Sequence, residues 1–245
     1  RQKDGNNQEF HLTGGLGTIS SRLAAEGPLF NEKGSFLVAS RGSYAHLILK
    51  AAGEKNSASF YDINLKANYN LDENNKLYLS GYLGRDNFNF EGGFSNGYGN
   101  LSGNLRWNHI YNDKLFSNLS TIYSKYNYDL TLNIFEFDWK SAINNFNLKY
   151  DFKYYASDTF KLDFGLTGIY YNFNPGVIRP TTETSAINYF QLDTKKALET
   201  GVYINAEHRL TEKLTAQYGI RFSSFLRLGD QAIVPYENNQ PVVYN

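Results

Sequence analysis

The feature that most constrains this chain is a strict alternation of apolar and polar residues, sustained over segments of ten to sixteen residues and repeated along its whole length. From Tyr61 to Leu71, Tyr61, Ile63, Leu65, Ala67, Tyr69 and Leu71 share one face, while Asp62, Asn64, Lys66, Asn68 and Asn70 share the other. A period of two is that of a β-strand. After Asp72, Glu73, Asn74 and Asn75 the pattern resumes with Leu77, Leu79, Gly81 and Leu83, so the unit is a tight hairpin. The same unit recurs in Leu101–Trp107, in Phe146–Tyr154 followed by Phe160–Leu166, and in Val202–Ala206 followed by Ala216–Phe222. Short polar turns are expected near 31–34, 72–75, 112–114, 157–158 and 211–213, with longer connections at 47–59, 89–97, 130–138 and 174–196 and a tail from Gly229.

About eleven strands follow from this reading, near 8–18, 21–30, 35–46, 59–71, 76–88, 98–111, 115–130, 139–155, 159–173, 197–210 and 214–228. Strands in water-soluble proteins usually run to about five or six residues. A strand that crosses a bilayer needs about 9–11 at a tilt near 45°. The expected fold is therefore all-β: a transmembrane, antiparallel, up-and-down β-barrel, present here in part. On the segment 61–71, Tyr61 and Tyr69 would sit roughly 20 Å apart across the membrane, bracketing Ile63, Leu65 and Ala67 as two aromatic girdles bracket an apolar band. The competing reading is a soluble sandwich that buries the same face. An odd strand count leaves free edges, whose unpaired backbone groups are costly in lipid. The chain also lacks Met and opens on a polar run at Arg1, so it reads as a piece of a longer protein.

Composition agrees with this. The mean hydropathy of −0.50 looks soluble, but a barrel gives such a value because only alternate residues meet lipid. No apolar run approaches the roughly 20 residues of a spanning helix. The 20 Tyr and 18 Phe suit headgroup girdles. Twenty-four basic and 24 acidic side chains cancel, which gives no electrostatic case for nucleic acid. The lack of cysteine removes disulfides, thiol nucleophiles and thiolate metal sites.

No catalytic, cofactor-binding or metal-binding residue stands out, and an enzyme is not expected. His11, His46, His109 and His208 are scattered without ligand spacing, and solvated or girdle positions are the better reading. Gly14, Gly15 and Gly17 are not followed by a helix, which argues against a phosphate cradle and for relief of crowding in a strand. Carboxylates such as Asp62, Asp86, Asp151 and Asp163 fall on the wet face among lysines and asparagines, and nothing marks two of them as an acid/base pair. The substrate-binding residues are unknown from sequence. Aromatic residues in or beside the longer connections, namely Phe88, Phe90, Phe94, Tyr98, Phe135, Phe137, Trp139, Phe173 and Tyr189, could stack on a sugar or a flat chelator. An outer girdle or packing between loops is the preferred account of them.

Residues 21–44, SRLAAEGPLFNEKGSFLVASRGSY, with the Glu26-Gly27-Pro28-Leu29 step and Arg41-Gly42-Ser43-Tyr44, resemble the opening barrel strands of TonB-dependent outer-membrane receptors of the Bacteroidetes type. Residues 61–88, YDINLKANYNLDENNKLYLSGYLGRDNF, are similar to the next hairpin of those proteins. The resemblance implies that residues 1–245 are the N-terminal half of a 22-stranded barrel in the bacterial outer membrane. It further implies a plug domain in the same full-length chain, TonB as the energising partner, outer-membrane lipid around the wall, and a scarce nutrient as ligand: siderophore, cobalamin or oligosaccharide. Neither plug nor TonB box lies in this sequence. The alternatives are a passive outer-membrane porin or channel, or a β-rich adhesin or carbohydrate-binding protein.

Overall fold

A computed structural model describes residues 3–229 together with Tyr236, Glu237, Gln240 and Pro241. The long strands are β1 (His11–Leu16), β2 (Ser20–Leu29), β3 (Gly34–Ser43), β4 (Ser57–Asn70), β5 (Asn75–Asn89), β6 (Phe94–Asn112), β7 (Leu115–Leu132), β8 (Phe137–Ser157) and β9 (Phe160–Pro180). They are followed by the two-residue β10 (Phe190–Gln191), then β11 (Lys195–Arg209) and β12 (Thr215–Leu228). These twelve form one antiparallel sheet in which each long strand pairs with the next in sequence, β9 pairing directly with β11 and β10 adding only to β9. The sheet ends at β1 and β12, so the eleven expected strands are all found and the twelfth is the short addition. The tail expected as an outer loop from Gly229 lies mostly outside the described residues.

The turns fall within a residue or so of their expected places, and at one end of the sheet: 30–33, 71–74, 113–114, 158–159 and 210–214. At the β4–β5 turn the Asp72 carboxylate accepts from the Asn75 side chain at 2.8 and 2.9 Å and from the Asn74 backbone N–H at 2.8 Å. The β2–β3 turn places Phe30, Asn31 and Glu32 in the left-handed region, with φ of 53°, 55° and 67°. Phe30 is bulky for such a conformation, and its ring packs edge-on against Tyr69 at 5.2 Å.

The Asp72 contacts set a pH dependence. Chiefly the Asn75 hydrogen bonds, and then the Asn74 N–H, hold its carboxyl below the ordinary 3.8. Because the folded value is the lower one, the stabilisation is complete above the unfolded value and is lost as pH falls through the folded value. Carboxyl NMR is expected to show Asp72 titrating below 3.8, and an Asn75→Ala substitution is expected to return it toward that value.

Three of the four longer connections are shorter than the sequence pattern suggested, because the strands run on into them, whereas the one after β3 keeps its length and begins three residues earlier, at 44. The expected loop 89–97 contracts to 90–93 and 130–138 to 133–136, while 174–196 becomes 181–194 with β10 inside it. The connection from β3 to β4 contains a helix, α1 (Ala45–Ala51). No helix among the described residues is long and apolar enough to cross a membrane.

Among the described residues, the only buried apolar side chains are Val177, Ala197 and Ala206. The accessible surface is 16865 Å², whereas a compact soluble protein of this mass exposes about 11,000 Å². A sandwich would hide its apolar face against a second sheet. Here Val38, Ile63, Leu65, Leu79, Leu83, Leu101, Leu105, Leu148, Leu166, Val202 and Ile220 are all at least 37% exposed. The register places them together on one face: Val38 pairs with Leu65, Leu79 with Leu105, Leu83 with Leu101, Leu166 with Val202, and Ile204 with Ile220.

Aromatic rings mark the turn end of this apolar face. Trp107 donates its indole N–H to Asn75 Oδ1 at 2.9 Å, and His109 Nδ1 lies 2.7 Å from the same oxygen. Tyr150 and Phe152 meet at a tilt with centroids 4.3 Å apart, Phe152 and Phe164 stack at 5.1 Å, and Phe160 meets His208 edge-on. His109 and His208 therefore sit in an aromatic girdle, where a ring with a polar edge satisfies both phases.

The rows of hydrogen-bonded partners also reveal a tilt. Leu65, Gly81, Gly103, Tyr123, Phe146 and Tyr170 form one row across β4 to β9. Leu65 is central to the band on β4, but Tyr170 is its upper edge on β9, about five residues from the centre of the Phe160–Tyr170 bracket. One residue per strand step, at about 3.3 Å along and 4.8 Å across, is a tilt of roughly 35°, within the range of membrane barrels.

Candidate functional site

The face opposite the apolar band carries the groups able to meet a ligand, and it divides along its length. Toward the short turns it is a charged ladder. Lys149 pairs with Asp151 at 2.9 Å, Lys153 with Asp163 at 3.6 Å and Lys161 with Glu207 at 2.7 Å. Tyr203 donates to Asp151 at 2.6 Å across Gly165 of the intervening strand, whose missing side chain makes room for the ring. On the first strands Arg41 pairs with Asp62 at 2.6 Å while lying 4.9 Å over the Phe60 ring, and Arg106 lies 4.3 Å over Tyr78. The segment before β1 crosses this face as well: Lys3 pairs with Glu26 at 2.7 Å and Asp4 with Lys66 at 2.6 Å.

Toward the longer connections the same face becomes aromatic. Phe88 stacks with Tyr98 at 6.2 Å, Tyr98 is the register partner of Tyr128, and Tyr126 neighbours Ile143, which pairs with Phe173. Tyr171 donates to Glu199 at 2.9 Å and its ring lies 6.5 Å from Phe225. Trp139 lies on this face too, its indole resting on Gly176 in the β9 irregularity between Asn174 and Val177, where any side chain would collide with the ring.

The candidate aromatics thus part company. Phe88, Tyr98, Trp139 and Phe173 fall on the polar face, which corrects their reading as an outer girdle: their parity along each strand is opposite to that of the lipid-facing residues. Phe90 and Phe94 stack at 4.7 Å across the β5–β6 turn, as loop packing predicts. Phe135 and Tyr189 are exposed on connections tied together at Glu136, whose carbonyl accepts from the Thr181 N–H at 2.8 Å and whose carboxylate accepts from the Thr182 hydroxyl at 2.7 Å. Phe137 begins β8 opposite Leu132 and Pro180.

Tyr126, Tyr128, Tyr171 and Phe225 were missed as candidates, yet a signal for them exists. On β7, Leu119, Thr121 and Tyr123 occupy one face, and past Lys125 the rings move to the other, with Asn127 and Asp129 replacing them. On β9 the rings Phe164 and Tyr170 are followed by Tyr171 and Phe173, and on β5 Leu83 is followed by Arg85, Asn87 and the opposite-facing Phe88. The ladder continues while the apolar side changes. That reversal marks where each strand leaves hydrocarbon: beyond it the outer surface must be polar and the inner one is free to be aromatic. At a tilt near 35°, the 21 residues of β8 or β9 reach roughly 55 Å, about twice the height of an apolar band.

The four histidines lie on β1, α1, β6 and β11. No group of three His, Cys, Asp or Glu placed to hold a metal ion occurs among the described residues. Gly14 and Gly15 face Leu23 and Arg22 of β2, within 3.5 and 3.2 Å of where a Cβ would stand.

No family model matches this sequence, and no curated protein matches it. Solved structures do. The ferric preacinetobactin receptor BauA from Acinetobacter baumannii superposes with a TM-score of 0.66 at 11% identity, covering 91% of this chain and 42% of the receptor. The alcaligin outer-membrane receptor FauA from Bordetella pertussis gives 0.68 at 11% identity, covering 94% and 39%. The copper transporter OprC gives 0.68 at 13% identity, covering 92% and 39%. The chain spans about two fifths of the length of these proteins. Its fold is that of a stretch of transmembrane β-barrel wall, with the apolar face toward lipid and the polar face toward the lumen.

Proposed function

We propose that this chain is part of the barrel of a TonB-dependent receptor of the Bacteroidetes type in the bacterial outer membrane, which takes up a scarce small nutrient. The observation that carries the reading is the division of the lumenal face into a charged inner ladder and an aromatic outer half. Rings such as Tyr98, Tyr128 and Phe173 near the outer mouth offer stacking to a flat chelate or a sugar. Deeper in, Asn104 Oδ1 and Arg106 Nε are covered by neighbouring groups and have no hydrogen-bond partner among the described residues. A plug domain in the same full-length chain would lie against this charged and amide-rich lower part of the face. The likeness to receptors for ferric siderophores and to a copper transporter supports a small cargo without choosing among siderophore, cobalamin and oligosaccharide.

The test is growth of a strain lacking the intact gene on limiting iron, cobalamin or oligosaccharide as sole source. One of these is expected to fail, to be rescued by the gene, and to fail again when TonB is deleted. Rescue that survives loss of TonB points to a passive channel instead.

A further inference from the structure

The lipid-facing surface changes character along one hydrogen-bonded row. Leu83 and Leu101 are succeeded across the sheet by Lys125, Asn144, Asn172 and Lys196. Immediately below this row, on the same face, stand Tyr123, Phe146, Tyr170 and Leu198. Lys125 and Lys196 are exposed, and neither has an ion pair or hydrogen bond among the described residues. The nearby acids on this face are already engaged: Asp129 with Arg85 at 2.7 Å, and Asp138 with Lys140 at 3.7 Å. The Asn144 carbonyl accepts weakly from Tyr123 at 3.4 Å, leaving its amide free to donate.

Three strand steps separate the two lysines, so their Cα atoms stand roughly 14 Å apart, with Lys196 about 8 Å higher given the tilt. That height matches the layer of headgroups outside the hydrocarbon, and long lysine stems let both ammonium groups move within it. Two cations without a partner among the described residues, with two carboxamides between them and set against rings at the hydrocarbon boundary, form a seat for anionic oxygen.

We propose that the row Lys125–Asn144–Asn172–Lys196 binds the phosphate-bearing headgroup of a lipid in the outer leaflet. This rests on the membrane reading of the fold and is independent of what is transported. The test is native mass spectrometry of the intact, detergent-solubilised protein titrated with diphosphorylated lipid A, its dephosphorylated form and phosphatidylcholine. The wild type is expected to prefer the diphosphorylated lipid. A Lys125→Gln/Lys196→Gln double variant is expected to lose that preference by roughly 30-fold, about fivefold for each cation near a charged surface, while its binding of the dephosphorylated lipid is unchanged. Lys50→Gln/Lys55→Gln, an equal change of charge in the β3–β4 connection, is expected to keep the preference. An equal loss in both variants, or none in the first, overturns the proposal. If no lipid binds at all, the membrane reading fails with it.

Discussion

Leu65→Arg is expected to destabilise the folded protein in a bilayer by about 2–4 kcal/mol, whereas Asn64→Arg, one residue away, is expected to cost little. Leu65 lies on the apolar face opposite Val38 and Gly81 and is 37% exposed with no layer of protein over it. The cost of arginine there is its transfer into hydrocarbon, and it is greatest near the midplane, where Leu65 falls midway between Tyr61 and Tyr69. Asn64 lies between Ala39 and Tyr82 on the face that carries Lys66 and Asp62, where a further charge stays wet. Urea titration of the refolded variants in lipid vesicles measures both. Equal costs would mean that the two faces do not differ in environment.

Gly165→Ala is expected to cost about 1–3 kcal/mol, the range for forcing extra volume into a tightly packed site. A Cβ at this position would stand 2.5 Å from the Tyr150 backbone carbonyl oxygen, 3.1 Å from the Asp151 Cα and 3.0 Å from the Tyr203 ring. The carbonyl belongs to the neighbouring strand and cannot move without disturbing the ladder, and displacing the ring breaks its hydrogen bond to Asp151. Gly168 on the same strand provides the contrast. It faces lipid with nothing within 4 Å of an added Cβ, so Gly168→Ala is expected to be neutral or slightly stabilising, since glycine weakens a strand interior. The same vesicle titration compares the two. A milder effect at 165 than at 168 would contradict the packing described here.

Much of the wall was legible because one force writes it. Where alternate residues meet lipid, as in Tyr61–Leu71 or Phe146–Tyr154, the period of two is unbroken and strand and facing follow directly. The strand ends were read too short where that force stops. Phe94, Ser95, Asn96 and Gly97 lie beyond the alternation of β6 and look like loop, although their backbones still pair with Leu132, Thr131, Leu130 and Asp129. The same reversal hid Tyr126, Tyr128 and Tyr171, whose parity contradicts the lower part of their own strands. Helix α1 is only seven residues long, less than two full turns, too short for its period to stand out between two strands. The pairing of Phe190 with Ile178 depends on β9 presenting a free edge there, which no local pattern encodes.

The most direct test of the central claim, that lipid covers one face of these strands and water the other, is site-directed spin labelling of the intact protein in bilayers. Labels placed one at a time from Tyr61 to Leu71 and from Leu119 to Thr131 would be read for collisions with oxygen and with a water-soluble nickel chelate. The account predicts oxygen maxima at the odd positions and nickel maxima at the even ones, with the odd positions beyond Lys125 turning accessible to nickel. Odd positions shut off from both reagents, as in a packed core, would contradict it.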